Sequence, residues 1–173
     1  LSVFVPVAPL VAGLLLVSCG GPDASGTRET GDIANEAGES GEYVIDRETG
    51  EARMTIETEE GPATLRSGRD VPVELPEGFS LHPGSRVTSN SVIRQGERSG
   101  AVILFETEAT PEEVIAHYRR EAEAAGFALE MDTVMGDSLM LGGESAGVAF
   151  QATATATGAG GARGQVFVSR APE

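Results

Sequence analysis

The chain has no tryptophan, no lysine, one cysteine and two histidines in 173 residues, and only 5% of it is aromatic. A single cysteine excludes an internal disulfide. With two histidines it also excludes the Cys and His spacings of a zinc site. The scarcity of aromatics leaves a core to be built from Val, Ile, Leu, Met and Ala. Because lysine is missing, all 12 basic residues are arginine, set against 27 acidic ones for a formal charge of -15. Such a surface repels phosphates, so nucleic acid is not expected as a partner, and solubility is the simplest use of the acidity. The length suits one domain with a modest core plus a tail.

Catalytic signatures are equally sparse. No Gly-x-Ser-x-Gly elbow sits between a strand and a helix. The nearest imitation, Gly142-Gly143-Glu144-Ser145-Ala146-Gly147, reads as a strand connection because no histidine follows it. Gly158-Ala159-Gly160-Gly161-Ala162-Arg163-Gly164 lacks the Lys-Ser/Thr ending of a phosphate loop and reads as a hairpin tip. Glu59-Glu60 falls in a turn, and Glu112-Glu113 in the first turn of a helix, where the macrodipole accounts for it. His82 stands among prolines and reads as a packed surface imidazole. His117 lies off the apolar centre of its helix and reads as solvent-facing. No catalytic, cofactor-binding or metal-binding residue is assigned, and no enzymatic activity is expected.

What is present begins with an uncharged apolar opening from Leu1 to Ser18, the pattern of a secretory signal. The basic stretch that normally precedes such a core is missing, and an opening leucine implies a start that lies elsewhere. The segment ends in Leu16-Val17-Ser18-Cys19, which resembles the lipobox of bacterial lipoproteins. That resemblance implies cleavage before Cys19, lipidation of its thiol and acylation of the new amino terminus. Several acyl chains hold a protein to a bilayer far more firmly than one, at about 0.8 kcal/mol per buried methylene. Gly20 and Gly21 follow, with no aspartate directly after the cysteine. The lipoprotein pattern then implies an outer-membrane address facing the periplasm. Two other readings compete: a permanent membrane helix, weakened by Pro6, Pro9 and Gly13, and an ordinary free thiol at Cys19.

Four segments follow from composition: a signal at 1–18, a flexible acidic tether at 19–41, a short β meander at 42–70 and an α+β domain at 71–173. The tether is Gly, Ser, Thr, Pro, Asp and Glu with hardly an apolar residue. From Tyr43 to Ser67, period-two alternation broken by turns at Asp46–Gly50 and Glu59–Pro62 predicts three short strands. These pack on the main domain or pair with its edge. Prolines from Val71 to Gly84 predict an extended lead-in. Strands are then predicted at 86–94 and 100–107, with the apolar run Ala101-Val102-Ile103-Leu104-Phe105 as the most buried.

Thr110 as N-cap, Pro111 at the first helical position and Glu113 closing a capping box predict a helix ended by Gly126. Its inward face is Val114, Ile115, Tyr118, Ala122 and Ala125. Four more strands are expected at 127–134, 139–141, 148–157 and 165–170. The expected fold is α+β: an antiparallel sheet of about six strands with one helix across a face, preceded by the meander.

Leu75-Pro76-Glu77-Gly78-Phe79, Leu81-His82-Pro83-Gly84-Ser85, Thr110-Pro111-Glu112-Glu113-Val114 and Ala125-Gly126-Phe127 together resemble a loosely defined group of small bacterial envelope lipoproteins. In that group a Tyr-Pro-Gly-Ala-like turn precedes two strands and a helix, and His82 stands where tyrosine is frequent. The resemblance implies a shared fold and an envelope location and brings no catalytic residues. The expectation is therefore a lipid-anchored, non-catalytic module that binds another envelope component, a protein. The alternative is a small-ligand-binding lipoprotein whose pocket is made by the Ala152–Thr157 strand face, the helix and the Pro-Gly lead-in.

Overall fold

A computed structural model describes residues 27–34 and 40–172. Ten strands and one helix follow in the order β1 (Arg28–Ala34), β2 (Ser40–Asp46), β3 (Ala52–Thr58), β4 (Gly61–Gly68), β5 (Arg86–Gln95), β6 (Arg98–Thr107), α1 (Pro111–Ala124), β7 (Ala128–Met135), β8 (Ser138–Ser145), β9 (Val148–Ala156) and β10 (Ala162–Arg170). All ten strands share one antiparallel sheet in the order β1-β2-β3-β4-β5-β6-β10-β9-β8-β7.

Local chemistry explains the turns and the helix. Asp46 Oδ1 accepts the N–H groups of Glu48 (3.0 Å) and Thr49 (3.1 Å), and Gly50 takes φ 71°, which lets β2 turn into β3. The Thr49 N–H, foremost, holds the Asp46 carboxyl below its ordinary range. At α1, Glu113 N–H donates to Thr110 Oγ1 (3.3 Å) while Thr110 N–H donates to Glu113 Oε2 (2.8 Å), closing the capping box. Gly126 at φ 77° ends the helix.

The chain leaves the sheet after β6, forms α1, and re-enters at the far edge as β7. Three further hairpins bring β10 back beside β6. The helix lies over β7–β10 on one face. Val114, Ile115, Tyr118 and Ala122 meet Ile103, Phe105, Leu141, Ala152, Ala154 and Val166 there, all buried. Each large apolar side chain so buried contributes roughly 1.5–3 kcal/mol. The Pro-rich lead-in packs on this face beside the helix, with Val71 and Pro72 held to Asn90 of β5. Phe79 packs edge-on against Phe127 (5.1 Å between ring centres) and Phe150 (5.0 Å).

The order of two strands, one helix and four strands is present from Arg86 on, but the expected α+β fold with a six-stranded sheet and a meander before it is overturned: the described residues are mostly sheet, ten antiparallel strands with a single 14-residue helix. Residues 42–70 belong to the same sheet: β4 pairs with β5 from Ala63 opposite Gln95 to Gly68 opposite Asn90. A three-stranded meander exposes two edges and buries neither face well, and pairing one edge with β5 satisfies a row of backbone groups. A further strand, β1, lies in the stretch read from composition as a tether. A second correction concerns β6. Ala101, Ile103 and Phe105 are buried, but Leu104 is exposed and Val102 only half-buried, because the helix covers one face alone.

Candidate functional site

Both histidines come together where the lead-in crosses α1. The rings of His82 and His117 are 5.3 Å apart, and His117 packs edge-on against Tyr118 at 5.0 Å. His117 is buried, contrary to the solvent-facing position expected for it, because residues 80–82 lie over its side of the helix. Its Nε2 lies 3.2 Å from both the Ser80 carbonyl and Glu121 Oε2; both are acceptors, so that nitrogen carries the proton. Glu121 also receives the Ser80 N–H (3.0 Å) and hydroxyl (2.6 Å). The group is a clamp that fixes the lead-in to the helix. Ser85 Oγ, His82 Nδ1 and Tyr118 OH are buried without hydrogen-bond partners among the described residues. No base therefore activates Ser85, and the cluster lacks the linked geometry of a nucleophilic site. Burial pushes the Tyr118 phenol above its ordinary range, offset in part by the nearby His82 backbone.

The pocket expected from the alanine strand face, the helix and the lead-in is brought together as proposed in sequence but filled. Ala152 and Ala154 lie fully covered, and Tyr118, Phe105, Ile103 and Val166 occupy the space between helix and sheet. An open cleft of about 670 Å³ lies instead at the sheet's end, lined in part by Gly84, Arg86, Glu106, Gly160 and Arg163. Glu106 stands between both arginines, 2.5 Å from Arg86 and 3.8 Å from Arg163, so it screens the positive charge at the cleft. Among the described residues no cluster of His, Cys, Asp and Glu could hold a metal ion. None of their helices is long and apolar enough to cross a membrane. Gly142–Ser145 extends β8, with Ala146 and Gly147 turning into β9, and Gly160 and Gly161 turn β9 into β10. Cys19 lies outside the described residues.

The sheet's other face is the surface that sequence reading missed. Residues opposite one another in antiparallel strands share a face. The row Ile45, Ala52, Ser67, Ser91, Val102, Phe167, Gln151, Gly142 and Met131 therefore runs across β2–β10 to β7 on the side away from the helix. It holds no charged residue. The next row, Tyr43, Met54, Leu65, Ile93 and Gly100, is also uncharged. Ile93 is 50% exposed, Phe167 38% and Leu104 37%. On the helix side of the same strands stand Arg28, Asp46, Arg53, Glu51 and Arg66 around a cleft of about 410 Å³. Charge and apolar surface are thus sorted onto opposite faces of β2–β4, while β1 places Glu29 opposite Ile45 at the edge. The signal for this was available: the unbroken run Ala101–Phe105 puts large apolar side chains on both faces of β6, as does Ile93 beside Val92 in β5.

No curated protein and no solved structure matches the chain. A protein-family model described as START domain-like matches residues 86–161, less than half of the 173 residues. The matched span holds β5, β6, α1 and β7–β9, and a START-like domain fits a sheet that grips a helix. Over that span, where five strands and the helix α1 follow one another, the chain is similar to START domain-like proteins.

Proposed function

We propose that the protein is a lipid-anchored, non-catalytic binding module of the bacterial cell envelope that recognises a protein through the uncharged face of its sheet. The observation that carries this reading is the pairing of a filled helix–sheet interior with a broad apolar face left open on the other side. Exposed apolar surface of this extent on a soluble domain marks an interaction site. The lipobox string at Cys19 supports the anchor, with the outer membrane as its address. The intact mass of the protein from native membranes, beside a Cys19→Ser control, tests it. Cleavage before Cys19 plus acyl chains upholds the anchor, and an unmodified chain rejects it. For the face, Leu65→Glu with Ile93→Glu removes binding to the envelope partner while the circular dichroism spectrum is kept. Binding that survives both substitutions rejects the face.

A second reading, a small-ligand-binding lipoprotein, draws on the START domain-like match. A ligand raises the unfolding temperature in step with RT ln(1 + [L]/Kd). Thermal shifts against lipid and metabolite panels test it, and a flat response counts against a ligand.

A further inference from the structure

We infer that the occupant of the open sheet face is a second copy of this chain, packed sheet on sheet; this rests on the proposed recognition role of that face. Three observations lead there. The first is charge. The chain carries -15, yet Tyr43, Met54, Leu65, Ile93, Val102 and Phe167 stand on a face whose central rows contain no charged residue. A partner recognised by charge finds nothing to pair with, and an anionic bilayer finds no lysine or arginine among those rows. An identical neutral patch meets no repulsion at contact, because the charges on this face, such as Glu29, Glu106 and Arg163, lie outside its central rows.

The second is area. Strands lie about 4.8 Å apart and rise about 3.4 Å per residue, so the apolar part from β2 across to β10 measures roughly 30 Å by 20 Å. Two copies then cover roughly 1,200 Å², the lower end of a specific protein interface. The third is geometry. A twisted antiparallel sheet presents the same relief to its own copy across a two-fold axis, and aligned sheets pack with side chains interdigitated about 10 Å apart. Phe167 and Ile93 project as knobs, Ile93 leaning over the bare backbone of Gly100, and leave furrows between them for the same knobs of a second copy.

The test is photo-crosslinking in the full-length chain in its own membranes, with a photoreactive residue placed at Ile93, at Phe167 or, as a control, at Arg120 on the exposed side of α1. Adducts are identified by mass spectrometry. The expected result is a band at twice the monomer mass from Ile93 and Phe167, absent from Arg120, with the attached peptide drawn from the same sheet face. Leu65→Glu is expected to reduce the Phe167 adduct at least tenfold while unmodified protein accumulates normally. Adducts from Ile93 and Phe167 to a different envelope protein overturn the self-pairing but leave the recognition role of the face standing. Adducts only to lipid or to residues 1–18 of the same chain, or none at all, overturn both.

Discussion

The ring of Phe105 fills the space where a side chain on Gly164 would stand. Opposite one another on β6 and β10, the two residues share the helix-covered face, and a Cβ on Gly164 would overlap the outer ring atoms. The glycine is extended, so space rather than backbone angle demands it. Gly164→Ala is expected to destabilise the fold by about 1–3 kcal/mol, as overpacking of a filled core does. Urea unfolding measures it. Adding Phe105→Leu should recover part of the loss, and strictly additive effects would show that the two sites are independent.

Tyr118 is fully buried, and its hydroxyl has no hydrogen-bond partner among the described residues. Tyr118→Phe is therefore expected to leave stability at pH 7 unchanged or slightly higher, since the cost of an unpaired polar group disappears. The sign of the pH dependence follows from the raised phenol. Its contribution is complete below the unfolded-state value of about 10 and is lost as pH rises through the higher folded-state value. Wild type should weaken above about pH 10 more steeply than Tyr118→Phe. Parallel alkaline curves in chemical denaturation would contradict this.

Glu121 sits near the C-terminal end of α1, where the macrodipole disfavours an acid, and no basic residue stands in that last turn. It is held there by the Ser80 N–H, the Ser80 hydroxyl and His117. Glu121→Ala is expected to free the lead-in at a cost of about 1.5–3 kcal/mol, the range for hydrogen bonds to a charged group. Hydrogen exchange at the Ser80 amide reads the local release. Unchanged protection there would mean that the lead-in is held by Phe79 and its aromatic neighbours alone.

Asn90 is the buried polar residue of β5, and its Nδ2 donates to the carbonyls of Val71 (3.2 Å) and Pro72 (2.8 Å). Asn90→Ala strands both carbonyls and is expected to cost about 1–3 kcal/mol. Asn90→Asp keeps the shape but replaces the donor with a buried negative charge facing two carbonyl oxygens, and should cost more than Asn90→Ala at pH 7. Equal midpoints in urea for the two variants would refute this ranking.

The parts of the fold legible in sequence are those governed by neighbours along the chain. Thr110, Pro111 and Glu113 announce the helix, and glycine-bearing turns announce most strands, because caps and turns are settled within a few residues. Pairing is different. Alternation in Ala52–Thr58 says that one face is apolar but not which strand lies beside it, and the β4–β5 pairing forms across the whole Pro-rich lead-in. β1 was illegible for another reason. Its sequence RETGDIA buries little, and it is ordered by its ladder to β2, with Gly31 lying under the ring of Tyr43. His117 shows the same limit at the candidate site: its helix position marks it as flanking, and only residues 80–82, far along the chain, cover it. The open face is not legible because an unbroken apolar run such as Ala101–Phe105 marks a buried strand without saying how many of its faces are covered, and one helix can cover only one.

The seam between β6 and β10 has a kinetic consequence. From β2 onward, every other strand pair except β4–β5 joins chain neighbours through a short turn, but Ala101 meets Val168 only after the helix and three hairpins have been laid down between them. Closing that loop costs more entropy than closing any hairpin, and non-local pairings set the pace of folding. Until β10 arrives, β6 is an unpaired edge carrying its apolar run Ala101–Phe105, which makes it the segment most exposed to capture by a neighbouring chain during synthesis.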